Sequence, residues 1–548
     1  MNYQHQTWQI PEETIRVAKA AFPKGSPAII IRDKIGVIYK NDEFRHLFSH
    51  RGKPAEAPGN LALVMVLQYA EGLTDEQAAQ AVRGRIDWKY ALGLSLTDPG
   101  FDASVLSRFR QRVIDGGEEM KLLDDMLTHF SERGWVKASE QRTDSTHVIA
   151  AVRQMNRLEV VGETMRAALS ALAVAVPAWL KSQITPDWFE LYGPRFEEYR
   201  FPQKEGEREQ LRLRIGEDGY ALLRAVYEQA PTEISLAHIP AVQVLRQVWV
   251  QQYYLCEGVI NWRKSTNLPP AAKLIESPYD VQAHYSRKRK TKWVGYKVHL
   301  TETCVPDTPH IITHVHTTAS TRPDEGVTKE INQALVDKGV PPKTHYVDAG
   351  YVDADNLVQA QRLQIELFGP APADTSWQQQ TPNAFGRDHF SIDWEEKVAT
   401  CPEGQQSRSW LTSPDAQGNE VVQIRFSRQA CHACDARSQC TTAKTTGRSL
   451  QFKNQEQHIA LQLARQRQQE DTFHKRYCRR AGVEGLISQG VRSFHLRACR
   501  YIGLEKTHLQ HILIASAMNM TRIVCWLRGD KHARTRITPF AALAFSFT

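Results

Sequence analysis

Three carboxylates in this chain stand where a structural reason for a charge is hard to find. Asp144 lies in Arg142-Thr143-Asp144-Ser145-Thr146-His147 and Asp348 in Tyr346-Val347-Asp348-Ala349-Gly350-Tyr351, each at the end of an apolar, β-branched run that reads as a buried strand. Glu484 lies in a cation-rich stretch that begins at Tyr477. A carboxylate on a buried strand is costly unless it is paired or bound to metal. Three such groups gathered from distant sequence can hold divalent metal, and divalent metal on phosphate oxygens is how many enzymes cut nucleic acid. The bland alternative is that Asp144 accepts hydrogen bonds from a turn and Asp348 caps the next helix, although Asp353 and Asp355 are better placed to cap. Tyr477, Arg480 and Glu484, spaced 3 and 4 apart, are expected on one helical face. Gly482 and Gly485 weaken the helix there, which suggests close approach of DNA or metal, with a simple helix end as the plain reading.

Two further groups carry chemistry. Cys401-Pro402-Glu403-Gly404 is followed by Cys431-x-x-Cys434 and Cys440, a set that could close a tetrahedral structural zinc site; free thiols in a loop are the alternative. Cys256, Cys304, Cys478, Cys499 and Cys525 are scattered and read as small buried hydrophobes. Arg287, Lys288, Arg289, Lys290 and Lys292, interleaved with Tyr285 and Trp293, suit phosphate neutralisation plus base stacking, and Arg492 adds a cation beyond Glu484. For any one basic cluster a solvated face is the alternative. His299, His314 and His316 read as packed strand residues rather than ligands.

The elements that must position these groups follow from pattern. At 548 residues the chain exceeds what one core organises, and an apolar fraction of 41% argues for folded domains. Residues 1–137 read as helical, with Thr74 or Asp75 capping a helix and Arg108 and Arg112 on one face of another, after a β-like start at 28–31 and 36–39. A catalytic core is expected from 138–152, 284–372 and 455–527, interrupted by a helical insertion (153–283) and a polar, irregular one (373–454), and followed by a tail (528–548). Within the core the order is strand, insertion, strand, strand, helix, strand, helix, strand and a late helix. Asp324 and Glu325 load the first turn of the first of those helices. That order is the pattern of an RNase-H-like mixed α/β sheet. The start of the chain lacks the pattern of a signal peptide, and Ala167 to Leu180, interrupted by Pro177, is too short to span a membrane. The expectation is a cytoplasmic chain with reduced thiols and no membrane association.

The stretches TDSTHVIAAVR, HYSRKRKTKWVGYKVHLTET, YVDAGYVDADNL and YCRRAGVEGLISQGVRSFHLRACRYIGLEKTHLQHILIASAMNMTRIVCWL resemble the DDE transposases of bacterial insertion sequences, in their eleven-eighty-two branch. The resemblance implies Asp144, Asp348 and Glu484 as the catalytic triad, holding two magnesium ions that manganese can replace. It implies Tyr477, Arg480 and Glu484 as a Tyr-two-Arg-three-Glu signature. The related signature has Lys seven residues after Glu; here Val491 stands there, and the basic role is expected to pass to Arg492. The implied function is binding of transposon ends, cleavage and strand transfer of DNA, by a homodimer or higher oligomer on nucleoid DNA. The alternatives are an RNase-H-like nuclease that does not join strands, and a non-catalytic DNA-binding derivative.

Overall fold

A computed structural model describes residues 9–48, 55–228, 235–415, 418, 420–530 and 539–543. The N-terminal stretch 1–8, read above for a signal peptide, and most of the tail 528–548 lie outside the described residues.

Six strands make the central sheet: β1 (Glu140–Ile149), β2 (His284–Lys288), β3 (Thr291–Thr303), β4 (Ile312–Ala319), β5 (Thr344–Tyr346) and β6 (Glu366–Phe368). β3 pairs antiparallel with β1 on one side, while β2 and β4 share its other side; β5 and β6 add in parallel beyond β1. Helices Thr328–Asp337 and Ala354–Arg362 are the crossovers that parallel pairing requires. This is the RNase-H-like mixed sheet that the order of elements predicts. β2 is an addition: the basic run turns back on itself through Arg289 and Lys290, with Arg289 at φ 55°.

The helical N-terminal region is built onto this sheet. Leu61, Val64, Phe109 and Phe130 share one core with Val298 and Val315 of the sheet and with Ile512 and Met518 of helix Leu504–Leu527. The insertion after β1 keeps its own core, around Val161, Leu172, Leu245 and Trp249. It adds one small hairpin, Tyr253–Cys256 with Val259–Trp262, to the expected helices.

Three expectations need correction. Residues 27–35 are helical rather than β-like, because Pro27 opens the turn and the Ser26 hydroxyl accepts from Ile29 N (3.3 Å). The stretch 373–454 is not irregular. Ser407–Pro414, Glu420–Phe426 and Ser449–Lys453 form a three-stranded sheet over a core of Phe390, Ile424, Phe426 and Phe452. The late helical part of the core is not one helix: it comes as Gln455–Gln468, Asp471–Tyr477 and a 3-10 turn, Cys478–Ala481, before Gly482–Phe494 begins.

The sheet interior is unusually rich in histidine. His345 Nε2 meets the Thr143 hydroxyl (2.6 Å) and its Nδ1 meets Asn332 Oδ1 (2.7 Å). His299 Nδ1 meets the Tyr351 hydroxyl (2.7 Å), and both ring nitrogens of His314 are buried without a hydrogen-bond partner. Burial pushes His299 down to about 3, His345 to about 4 and His511 to about 3. A histidine whose folded value lies below the unfolded one gives stability that is complete above the unfolded value near 6.5 and is lost as pH falls. Each such group is worth about 1.4 kcal/mol per pH unit across its window. The His345→Gln chain is therefore expected to show a flatter fall of urea midpoint than wild type between pH 6.5 and about 4. Identical slopes would show that His345 is not held neutral.

Candidate active site

Register brings the first two acids together. Arg142 of β1 pairs in parallel with Tyr346 of β5, and Asp144 and Asp348 each lie two residues further along. A step of two returns a side chain to the same face, so both carboxylates stand at the same end of adjacent strands. One cation bridges them: Arg480 Nη2 is 2.6 Å from Asp144 Oδ2 and 3.8 Å from Asp348 Oδ2. Asp144 is 9% exposed, and burial raises its carboxyl to about 6, against the pull of Arg480 and of the Ser145 N–H that donates to Oδ1 (2.7 Å); the nearby Asp348 raises it further. Asp348 also serves as a local cap, accepting from Gly350 N (2.9 Å), so the capping reading and the site reading apply to different oxygens of one carboxylate. Asp353 caps the following helix, accepting from Asn356 N (2.6 Å).

Glu484 is placed differently. Tyr477 ends one helix, Arg480 lies in the 3-10 turn Cys478–Ala481 and Glu484 belongs to the next helix, so the three do not sit on one uninterrupted α-helix as expected. Arg480 turns inward to Asp144, while Glu484 is exposed and makes no hydrogen bond or ion pair among the described residues. Tyr477 is half-buried, stacked on Phe473 with ring centroids 5.6 Å apart. Gly482 has a structural cause: a Cβ there would collide with Arg142 Nη1, whose guanidinium runs under the turn to donate to Arg479 O (2.7 Å). Nothing lies within 4 Å of a Cβ at Gly485.

A further acid, read from sequence only as a helix-start residue, belongs to this pocket. A Cβ at Gly350 would lie 3.1 Å from Asp348 Oδ1 and 3.6 Å from Asp324 Oδ2, so Asp324 faces Asp348 across the glycine. Asp324 Oδ1 accepts from Lys297 Nζ (2.7 Å), and its Oδ2 is 3.4 Å from the Ser145 hydroxyl. The clue in sequence was Lys297 on a buried strand, a cation that needs an acid nearby.

The basic hairpin approaches the same place, since Lys288 Nζ is 3.9 Å from Asp324 Oδ2. Arg287, Lys288, Arg289, Lys290 and Lys292 are exposed along it. Trp293 is a correction: it is 3% exposed, packed on His147 and donating Nε1–H to Tyr296 O (3.1 Å), and so cannot stack on bases. Arg492 is exposed near the end of helix Gly482–Phe494, while Val491 packs into the core.

The donor set suits a hard divalent ion: carboxylate oxygens of Asp144 and Asp348 converge on a single positive charge, that of Arg480. Arg480 Nε is buried and has no hydrogen-bond partner, as expected of a guanidinium short of one anion. Among the described residues, no group of three or more His, Cys, Asp or Glu is arranged to hold a metal ion. The pair is present; a finished cage is not. Among the same residues no helix is long and apolar enough to cross a membrane.

Comparison with known families gives two matches: a transposase DDE domain over residues 400–524 and a Transposase domain (DUF772) over residues 16–112. No curated protein and no solved structure matches the chain. The first match contains Glu484 and the four clustered cysteines, while Asp144 and Asp348 lie outside both. The chain thus carries two stretches that match transposase domains, one near each end, with an RNase-H-like sheet between them that presents two paired aspartates.

Proposed function

We propose that this chain is a DDE transposase that binds the ends of its element, cleaves DNA there and joins the freed 3′ hydroxyls to target DNA, with Asp144, Asp348 and Glu484 as catalytic carboxylates. The observation that carries the reading is the single guanidinium shared by Asp144 and Asp348, two acids brought from distant sequence to the same end of two neighbouring strands. Asp144 and Asp348 would hold magnesium, with Glu484 completing the set when DNA engages the turn at 478–481. When bound, such ions supply Lewis acidity, activating water or a 3′ hydroxyl and neutralising charge on the phosphate. The chain's own residues do the positioning. Arg480 is a guanidinium with one unpartnered nitrogen, suited to exchange its carboxylate for a DNA phosphate. Arg287, Lys288, Arg289, Lys290 and Lys292 track the backbone beside the pocket, and Arg492 extends the basic surface. Asp324 holds Lys297 at the pocket wall. Two ends must be processed together, so a homodimer or larger assembly on nucleoid DNA is part of the same reading.

The test is strand transfer. Given pre-cleaved ends, a target plasmid and magnesium, the chain is expected to produce joined products that are lost when the terminal hydroxyl is replaced by hydrogen. Cleavage without joining would reduce the activity to that of a nuclease. Binding without either would leave a DNA-binding derivative.

A further inference from the structure

Outside the acid pocket, four of the nine cysteines face one small cleft in the 373–454 region. Cys401, Cys431, Cys434 and Cys440 line a cavity of about 30 Å3, room for an ion and little else. The segments that carry them differ: a turn after the strand Val398–Thr400, the short helix Arg428–His432 with the residues just beyond it, and the short helix Arg437–Cys440. Two backbone amides point at sulfur. Gln405 N donates to Cys401 Sγ (3.3 Å) and Arg448 N to Cys431 Sγ (3.4 Å). Backbone amides donating to cysteine sulfur are an arrangement that suits metal-bound sulfur, a stronger acceptor than a thiol.

The second observation concerns charge. Arg437 and Arg448 line the same cleft, and the Nε of each is buried with no hydrogen-bond partner. Two guanidinium groups beside four neutral thiols would be an unbalanced arrangement.

We propose that Cys401, Cys431, Cys434 and Cys440 bind one zinc ion, and that Arg437 and Arg448 balance the net double negative charge of a zinc tetrathiolate. Zinc displaces the thiol protons to solvent and needs no other reactant. Among the described residues the four sulfurs line the cleft without meeting at one centre, so binding the ion requires their side chains to turn inward. The ion would tie the Cys401 turn, the two short helices and the start of strand Ser449–Lys453 into one unit over the Phe390 and Phe426 core. This is independent of the acid pocket and of its chemistry.

The test is metal content of the full chain. Protein purified without chelator is expected to carry one zinc per chain by elemental analysis. A Cys431→Ser, Cys434→Ser double variant should carry at least tenfold less, while Cys256→Ser, at an exposed cysteine far along the sequence, should carry the full amount. Because the double variant could fail to fold, wild-type chain reconstituted with cobalt provides the second readout: intense thiolate-to-cobalt and tetrahedral ligand-field bands are expected. Absence of zinc together with absence of those bands, or a native disulfide among the four cysteines, would overturn the site. Arg448→Ala should release zinc to a chelator at least several-fold faster, and an unchanged release rate would refute the charge-balancing role.

Discussion

Asp144→Asn and Asp348→Asn are each expected to reduce cleavage of transposon ends by at least about 10³-fold, since a bound divalent ion supplies several kcal/mol of charge stabilisation and about 4 kcal/mol corresponds to that factor. Asparagine keeps the shape and can still accept from Ser145 N or Gly350 N, so folding should survive. DNA binding, read by mobility shift, should stay within a few-fold of wild type, because the proposed phosphate contacts are made by the basic hairpin and not by the aspartates. Glu484→Gln is the more searching variant, because Glu484 is exposed and, unlike the two aspartates, makes no ion pair with Arg480 among the described residues. It should match the aspartate variants, whereas Asp324→Asn, which weakens the hold on Lys297 and the approach of Lys288, should cost tenfold or less. If Asp324→Asn is the inactive one and Glu484→Gln is active, the third carboxylate is Asp324 and the proposed triad is wrong at that member.

The second large effect lies under the helix that carries Glu484. Glu302 is 1% exposed and is held between two guanidinium groups, accepting from Arg142 Nε (2.7 Å) and Arg522 Nη1 (2.6 Å). Burial alone would raise its carboxyl; Arg522 and Arg142 together hold it below the usual range. Arg142→Met should therefore destabilise the chain by about 3 kcal/mol, the low end for breaking a buried pair because Arg522 remains. Gly482→Ala should do comparable damage from the other side, as the new Cβ would collide with Arg142 Nη1. The signature is in the double variant. Once Arg142 is gone, the added methyl of Gly482→Ala has room at a helical φ of −63°, and the substitution should stabilise by up to about 1 kcal/mol relative to glycine. Urea denaturation of the four chains decides it. Additive losses would mean that Gly482 is glycine for some reason other than Arg142.

That pair also shows how far the sequence can be read. Gly482 was visible as an anomaly in a helical text, but its cause lay 340 residues away on β1, and only the fold made the contact. Trp293 looked like a stacking aromatic because it adjoins a basic run; hairpin register turned it inward onto His147. Asp324 looked like a helix-start charge, which local sequence fully explains, and tertiary packing gave its carboxylate to Lys297 instead. The stretch 373–454 read as irregular because its strands are short and polar on one face, so alternation is hard to see against loop composition.

What the amino-acid sequence settled alone was local. Strands β1, β3 and β4, a helix start at Thr74 or Asp75, a cap at Asp353 or Asp355 and the helical character of the insertion all follow from periodicity and capping within a dozen residues, and the structure chose Thr74 and Asp353. Tertiary structure decided which charges meet. Parallel pairing of β1 with β5 set Asp144 beside Asp348, and a 3-10 turn pointed Arg480 inward while leaving Glu484 outside. Both outcomes depend on contacts between residues hundreds of positions apart, where the energy is in desolvation and charge pairing and leaves no periodic trace along the chain.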